Sequence, residues 1–117
     1  MNIDIQLLDT LTVQAKASPR LRMNYDLRNS PEDQSQRMLN ALEPGTVLPI
    51  HRHRNSSETV AILRGRAVQW LYDEEGKVVE KVLLEAGGDT PAMNVEKGCG
   101  RLRRHDRFLT FKDSMWA

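Results

Sequence analysis

Hydrophobic and polar positions change period several times along the chain. Between Ile3 and Ala17 the apolar residues Ile3, Leu7, Leu8, Leu11 and Ala15 fall on one side of a helix. Asn2 and Asp4 are candidate caps for its start. Ser18-Pro19 ends it, because the residue before a proline avoids helical backbone angles. The period then drops to two. Leu21, Met23, Tyr25 and Leu27 alternate with Arg22, Asn24 and Asp26, which predicts a half-buried strand. Ser30-Pro31-Glu32-Asp33 has the signature of a capped short helical turn, with Ser30 at the N-cap and Pro31 first in the turn. The stretch from Gln36 to Leu42 fits both periods. Met38, Leu39 and Leu42 suit a helix face; Met38, Asn40 and Leu42 suit a strand face.

After the turn signal Pro44-Gly45 the pattern becomes strand after strand. Thr46 to Arg52, Thr59 to Leu63, Ala67 to Tyr72 and Val78 to Leu84 are short and rich in Val, Ile and Leu, with turn residues between them. Asp73-Glu74-Glu75-Gly76 predicts a hairpin connection, and Gly87-Gly88-Asp89 a further turn. Ala92 to Val95 and Arg107 to Lys112 complete the series. Many short strands in succession imply an all-β sandwich or barrel with a helical N-terminal element, and closure into a barrel removes exposed sheet edges.

The 117 residues suffice for one domain. The expected division is an N-terminal helix and strand extension over residues 1–35 and a β-barrel over residues 36–117. No apolar run approaches the roughly 20 residues of a membrane helix. The first ten residues carry acids among their apolar positions and lack the basic start of a secretory signal. A single cysteine, Cys99, forms no internal disulfide and fits a reducing compartment, so a cytoplasmic location is expected. With 17 basic and 16 acidic residues the net charge is +1, so no global field draws the chain to nucleic acid or an anionic membrane.

The chemistry concentrates between Gly45 and Gly65, in the stretch GTVLPIHRHRNSSETVAILRG. His51 and His53 are two residues apart, which on a strand puts both imidazoles on one face, about 6.5 Å apart at the backbone. Glu58 follows after the polar stretch Arg54-Asn55-Ser56-Ser57, which can turn the chain back on itself. Two imidazoles and a carboxylate on one face form a donor set for a divalent ion, with positions left open for water or substrate. Zn, Fe, Mn and Ni are all compatible with it. Arg52 and Arg54 alternate with the histidines and are expected to face solvent.

The glycines frame these donors. Gly45, five residues, His51, one residue, His53, four residues, Glu58, six residues and Gly65 match the first motif of the cupin superfamily. The leader SPRLRMNYDLRNSPEDQSQRMLNALEPGT, followed by PIHRHRNSSETV, resembles the WbuC-type cupin metalloproteins, small bacterial proteins associated with surface polysaccharide and O-antigen gene clusters. The similarity runs from the first helix to about Gly98 and resumes at Phe108-Leu109-Thr110-Phe111-Lys112-Asp113. It implies a cupin double-stranded β-helix (jelly-roll) barrel behind a short N-terminal helix, with a divalent metal in the barrel mouth. It further implies a leader packed near that mouth, where Arg22, Asn24, Tyr25 and Arg37 are candidates for a polar or anionic ligand.

The sequence departs from the family where the second cupin motif belongs. Lys97-Gly98 is present, but Cys99, Gly100 and Arg101 follow, and the Trp-His pair that carries the remaining family ligand is absent. Cys99 to Arg107, CGRLRRHDR, is basic and a few residues short. A natural loss of the ligand and a local frame disruption both account for it. Cys99 and His105 are the candidate replacement ligands. His105 stands four or more residues beyond the family position, about 13 Å along an extended strand. Arg101 near the mouth adds positive charge that favours an anionic ligand. Cys99, flanked by Lys97 and Arg101, is also a candidate nucleophile. The arginine cluster is a candidate phosphate contact, although few aromatics accompany it. Trp70 and Tyr72 are assigned to the core.

Two functions from different classes follow. The first is a divalent-metal cupin acting on a small polar or sugar metabolite in surface polysaccharide biosynthesis. Its metal would polarise a carbonyl or enolate oxygen in an isomerase, epimerase or lyase, or serve Fe(II) dioxygenase-like chemistry. The second is a non-catalytic cupin that binds or senses a small ligand through a degenerate metal site. Either is expected as a homodimer, with the segment from Ile3 to Leu27 pairing or packing across a two-fold axis.

Overall fold

The computed structural model describes residues 1–35, 37–44, 46, 58–73, 75 and 77–95, and the backbone of residues 106–116. Its elements are one helix, α1 (Ile5–Ala17), and six strands: β1 (Arg22–Asp26), β2 (Met38–Leu42), β3 (Glu58–Tyr72), β4 (Val78–Glu85), β5 (Ala92–Val95) and β6 (Asp106–Trp116). All pairings are antiparallel. The strand order is β1-β2-β6-β3-β4, with β5 paired to the first residues of β3. Among the described residues β1 and β4 form the two ends of this path. The protein is therefore predominantly β with a short N-terminal helix. No helix among the described residues is long and apolar enough to cross a membrane.

The helix starts at Asp4, whose side chain accepts from the Leu7 backbone N–H at 2.9 Å and so satisfies one of the free amides of the first turn. Ser18 closes it in extended geometry, as the following proline requires. Leu8, Leu11 and Ala15 are buried on Leu39 and Ala41 of β2, with Leu7, Met23 and Leu27 packed around them. Ile3 does not join that face. It precedes the helix and remains 46% exposed. The segment from Ser30 to Asp33 is a single turn and not a capped helix: Asp33 N–H donates to the Ser30 carbonyl.

The stretch from Gln36 to Leu42 becomes a strand over its last five residues because both of its neighbours are strands: β1 pairs with all five and β6 with the last three. Leu39 and Ala41 turn toward α1, while Leu42 turns to the other buried cluster with Val60, Ile62, Ala67 and Leu84. That division explains why the stretch fits no single period.

Two expected strands, Thr59 to Leu63 and Ala67 to Tyr72, are one 15-residue strand, β3. Gly65 does not end it. With φ +83 it sits in a break of register against β6, between Ile62 and Arg66. Such a φ is strained for any side chain with a Cβ. Val60 and Ile62 are buried before the break, and Ala67, Gln69 and Leu71 after it, so the break shifts the inward phase by one residue. Without it, one half of the strand would turn its apolar residues outward. The hairpin from β3 to β4 forms as the sequence predicts: the Asp73 carboxylate accepts from the N–H groups of Glu75 and Lys77 at 2.9 Å. The turn after β4 uses Gly87 at φ +72.

Candidate functional site

Glu58 is the first residue of β3 and is half-buried. It alternates in phase with Val60 and Ile62, both buried in the cluster completed by Leu42, Ala67 and Leu84. Its carboxylate therefore belongs to the inward face of the strand. Thr59, on the opposite face, is exposed and its hydroxyl lies 3.0 Å from the Asn94 side-chain oxygen of β5. Glu58 stands opposite Val95, the last residue of β5.

The entry to the histidine stretch is anchored from the N-terminal side. Thr46 N–H donates to the Glu43 carbonyl at 3.1 Å, and the Thr46 hydroxyl lies 2.7 Å from the carbonyl oxygens of both Leu21 and Glu43. Glu43 N–H in turn donates to Leu21. Leu21 adopts φ +56, an uncommon angle for a leucine, and presents its carbonyl to both residues. The turn predicted at Pro44-Gly45 is thereby tied to the chain leaving α1. His51 and His53 lie outside the described residues, as do Arg52, Arg54, Cys99, Arg101 and His105.

The leader residues do not form one pocket. Asn24 and Tyr25 are consecutive on β1 and so point to opposite faces; both are exposed. The Arg37 guanidinium is used within its own loop, 3.1 Å from the Asp33 carboxylate and 3.3 Å from the Ser35 carbonyl. Backbone N–H groups of Ser35 and Asn29, with Arg37, hold the Asp33 carboxyl below its ordinary pKa. Arg28 grips Asp26 in the same way, through two nitrogens at 2.9 and 3.0 Å, and lowers its pKa.

Tyr72 is buried, as the sequence suggests, but Trp70 is only half-buried. It lies on the outer face of β3, with the Lys81 ammonium 4.4 Å from its ring centre. Sequence reasoning passed over Gln69. It lies on the inward face with Ala67 and Leu71 and is fully buried, and neither atom of its amide has a hydrogen-bond partner among the described residues. A polar residue at an apolar phase of the strand was the only sequence signal for it. Among the described residues no three His, Cys, Asp or Glu side chains cluster, two of the three motif donors lying outside that set.

A family model described as a domain of unknown function, DUF6016, matches residues 3–84. The chain belongs to that family. The DUF6016 match runs from Ile3, two residues before the helix, to the penultimate residue of β4, so it contains the anchored turn, His51, His53 and Glu58. It stops before Cys99, Arg101 and His105. No curated protein matches the chain. DUF6016 membership thus groups the helix, the motif and the β3–β4 hairpin into one unit and carries no activity with it.

Proposed function

We propose that this DUF6016 protein is a WbuC-like cupin that binds one divalent metal through His51, His53 and Glu58 and acts on a small polar or sugar metabolite in surface polysaccharide biosynthesis. The observation that carries the reading is the inward Glu58 at the first position of β3, beside buried Val60 and Ile62. This carboxylate stands at the motif position of a metal ligand and on the same face of the strand as the apolar core residues. The sequence arrangement supports the same reading: the two histidines stand between the turn anchored on Leu21 and Glu58. The antiparallel strands and the N-terminal helix are compatible with a jelly-roll barrel, which is the architecture proposed for the complete chain.

The described donor fits a metal site, since a carboxylate supplies the hard oxygen that complements two imidazoles. When bound, a divalent ion would act as a Lewis acid on a substrate oxygen. The chain's own contribution is to aim Glu58 inward and to follow it on the same face with the buried Val60 and Ile62. His105 is left out of the proposed donor set. The next residue, Asp106, pairs with Tyr72, at the opposite end of β3 from Glu58.

Elemental analysis of the purified protein and of His51→Ala and Glu58→Ala tests the reading. One equivalent of metal in the wild type and loss in both variants is expected. Unchanged stoichiometry in both would overturn it. Turnover of phosphorylated or nucleotide-linked sugars by the metal-replete protein separates an enzyme from a binding module, which would show affinity without product.

A further inference from the structure

We propose that Arg64 is a positioning residue for the proposed metal ligand Glu58, and that it acts by clasping the break in β3 to helix α1. The break divides the strand into two arms. Before it, residues 58–61 pair with β5; beyond it, residues 66–72 pair with β4 and β6. Ile62, Arg64 and Arg66 pair in turn with Trp116, Met115 and Lys112 of β6, so the register shifts on both sides of Arg64. A break of this kind bends a strand. The direction in which the first arm leaves the main sheet is set over these few residues, and Glu58 stands at the far end of that arm.

Contacts from both sides hold the break. The carbonyl of Gly65, the residue at φ +83, accepts from the Ala86 N–H at 3.1 Å, and the Ile62 N–H donates to the Pro91 carbonyl at 2.9 Å. Both tie the break to the turn between β4 and β5. From the helix side, Arg64 Nη1 donates to the Asp9 carboxylate at 2.6 Å and Nη2 to the Thr12 hydroxyl at 2.7 Å. The Thr12 hydroxyl donates in turn to the Leu8 carbonyl at 2.9 Å, and Leu8 is buried against β2. An exposed ion pair of this sort adds little stability. Its two-point grip nevertheless fixes the strand against the helix, and a metal ligand displaced by a fraction of an ångström binds less well. Arg64 stands six residues from Glu58, about 20 Å of extended chain. That exceeds the screening length of about 8 Å at physiological salt, so its charge acts weakly on the site. The sign of any direct effect is also opposite: loss of a cation would tighten metal binding.

The inference rests on the metal site proposed above, and Co2+ titration of the full chain at physiological salt separates the two. The visible spectrum of bound Co2+ reports ligand geometry. Wild type should bind one equivalent. Arg64→Ala and, from the helix side, Asp9→Ala and Thr12→Val should bind the same equivalent roughly three- to tenfold more weakly and with a shifted spectrum, less than the loss of about 10–100-fold for residues bonded directly to a ligand. Arg64→Ala with Asp9→Ala should be no weaker than Arg64→Ala alone, because both remove one clasp. In the same variants without metal, amide exchange should quicken at residues 58–62 and not at residues 68–72. A wild type that takes up no Co2+ would overturn the metal reading and this inference with it. A wild type that binds, with unchanged or tighter binding in Arg64→Ala, would overturn the positioning role alone. So would unchanged exchange at residues 58–62.

Discussion

The two buried clusters of this protein are built differently. Beneath α1, Leu8, Leu11, Ala15, Leu39 and Ala41 make a contact without a polar atom from any side chain. Along the inner face of β3, Val60, Ile62 and Ala67 are bracketed by Glu58 before them and Gln69 after them. The first arrangement is what stability alone selects, because each buried apolar side chain contributes roughly 1.5–3 kcal/mol. The second carries a carboxylate, Glu58, and the Gln69 amide, which has no partner among the described residues and lowers stability unless something pairs with it. The contrast separates an all-apolar contact under the helix from a sheet interior that also carries polar side chains.

The largest expected effect comes from breaking the apolar side. Leu39→Ala removes a β2 side chain that is fully buried beneath α1, and should cost about 2–5 kcal/mol in urea unfolding. Metal bound per folded molecule should not change. A parallel loss of metal would show that the two clusters act as one.

A smaller effect of opposite sign is expected at Gln69. Gln69→Met keeps the length of the side chain and removes the orphaned amide, so unfolding should become harder by about 1 kcal/mol. A loss of stability of that size would mean that the amide is paired in the complete protein, and the contrast between the clusters would narrow to Glu58.

The clusters are joined at Arg64 of β3, whose guanidinium lies 2.6 Å from the Asp9 carboxylate and 2.7 Å from the Thr12 hydroxyl of α1. Asp9 is largely exposed, so Arg64→Ala should cost under about 1 kcal/mol, and added salt should shrink the difference. A cost as large as that of Leu39→Ala would make this contact, and not the apolar face, the main attachment of the helix.

The smallest effect is present at neutral pH and lost in acid. The Arg28 guanidinium holds the Asp26 carboxyl below its ordinary pKa in the folded protein. A lowered folded pKa stabilises above the unfolded value, near pH 4, and the contribution disappears as pH falls through the folded value. Wild type should therefore exceed Asp26→Asn in thermal stability at neutral pH, and the two curves should converge in acid once pH has fallen through the lowered folded value. A difference that persists in acid would assign the effect to packing instead of charge.

Local signals carried much of the architecture. Asp4 and Ser18-Pro19 bound the helix within two residues, since capping and proline sterics act on adjacent peptide groups. The turns at Asp73 and Gly87 and the strand at Ala92–Val95 were equally legible. At the candidate site, the phase of Glu58 relative to Val60 and Ile62 follows from a period of two.

Tertiary structure decided what needs a partner to define. Gln36 to Leu42 held both periods, and its last five residues became a strand because β1 and β6 flank them; its apolar residues serve two cores on opposite faces, which no single period records. Gly65 read as the end of a strand, yet the chain continues through it, because β6 on the far side holds both halves and the positive φ resets their phase. Gln69 was silent for a related reason: an amide in a strand is ordinary until both faces of the sheet are known to be covered. Sequence fixes what each residue offers to its neighbours along the chain. Burial depends on which strands arrive beside it, and only the fold supplies those.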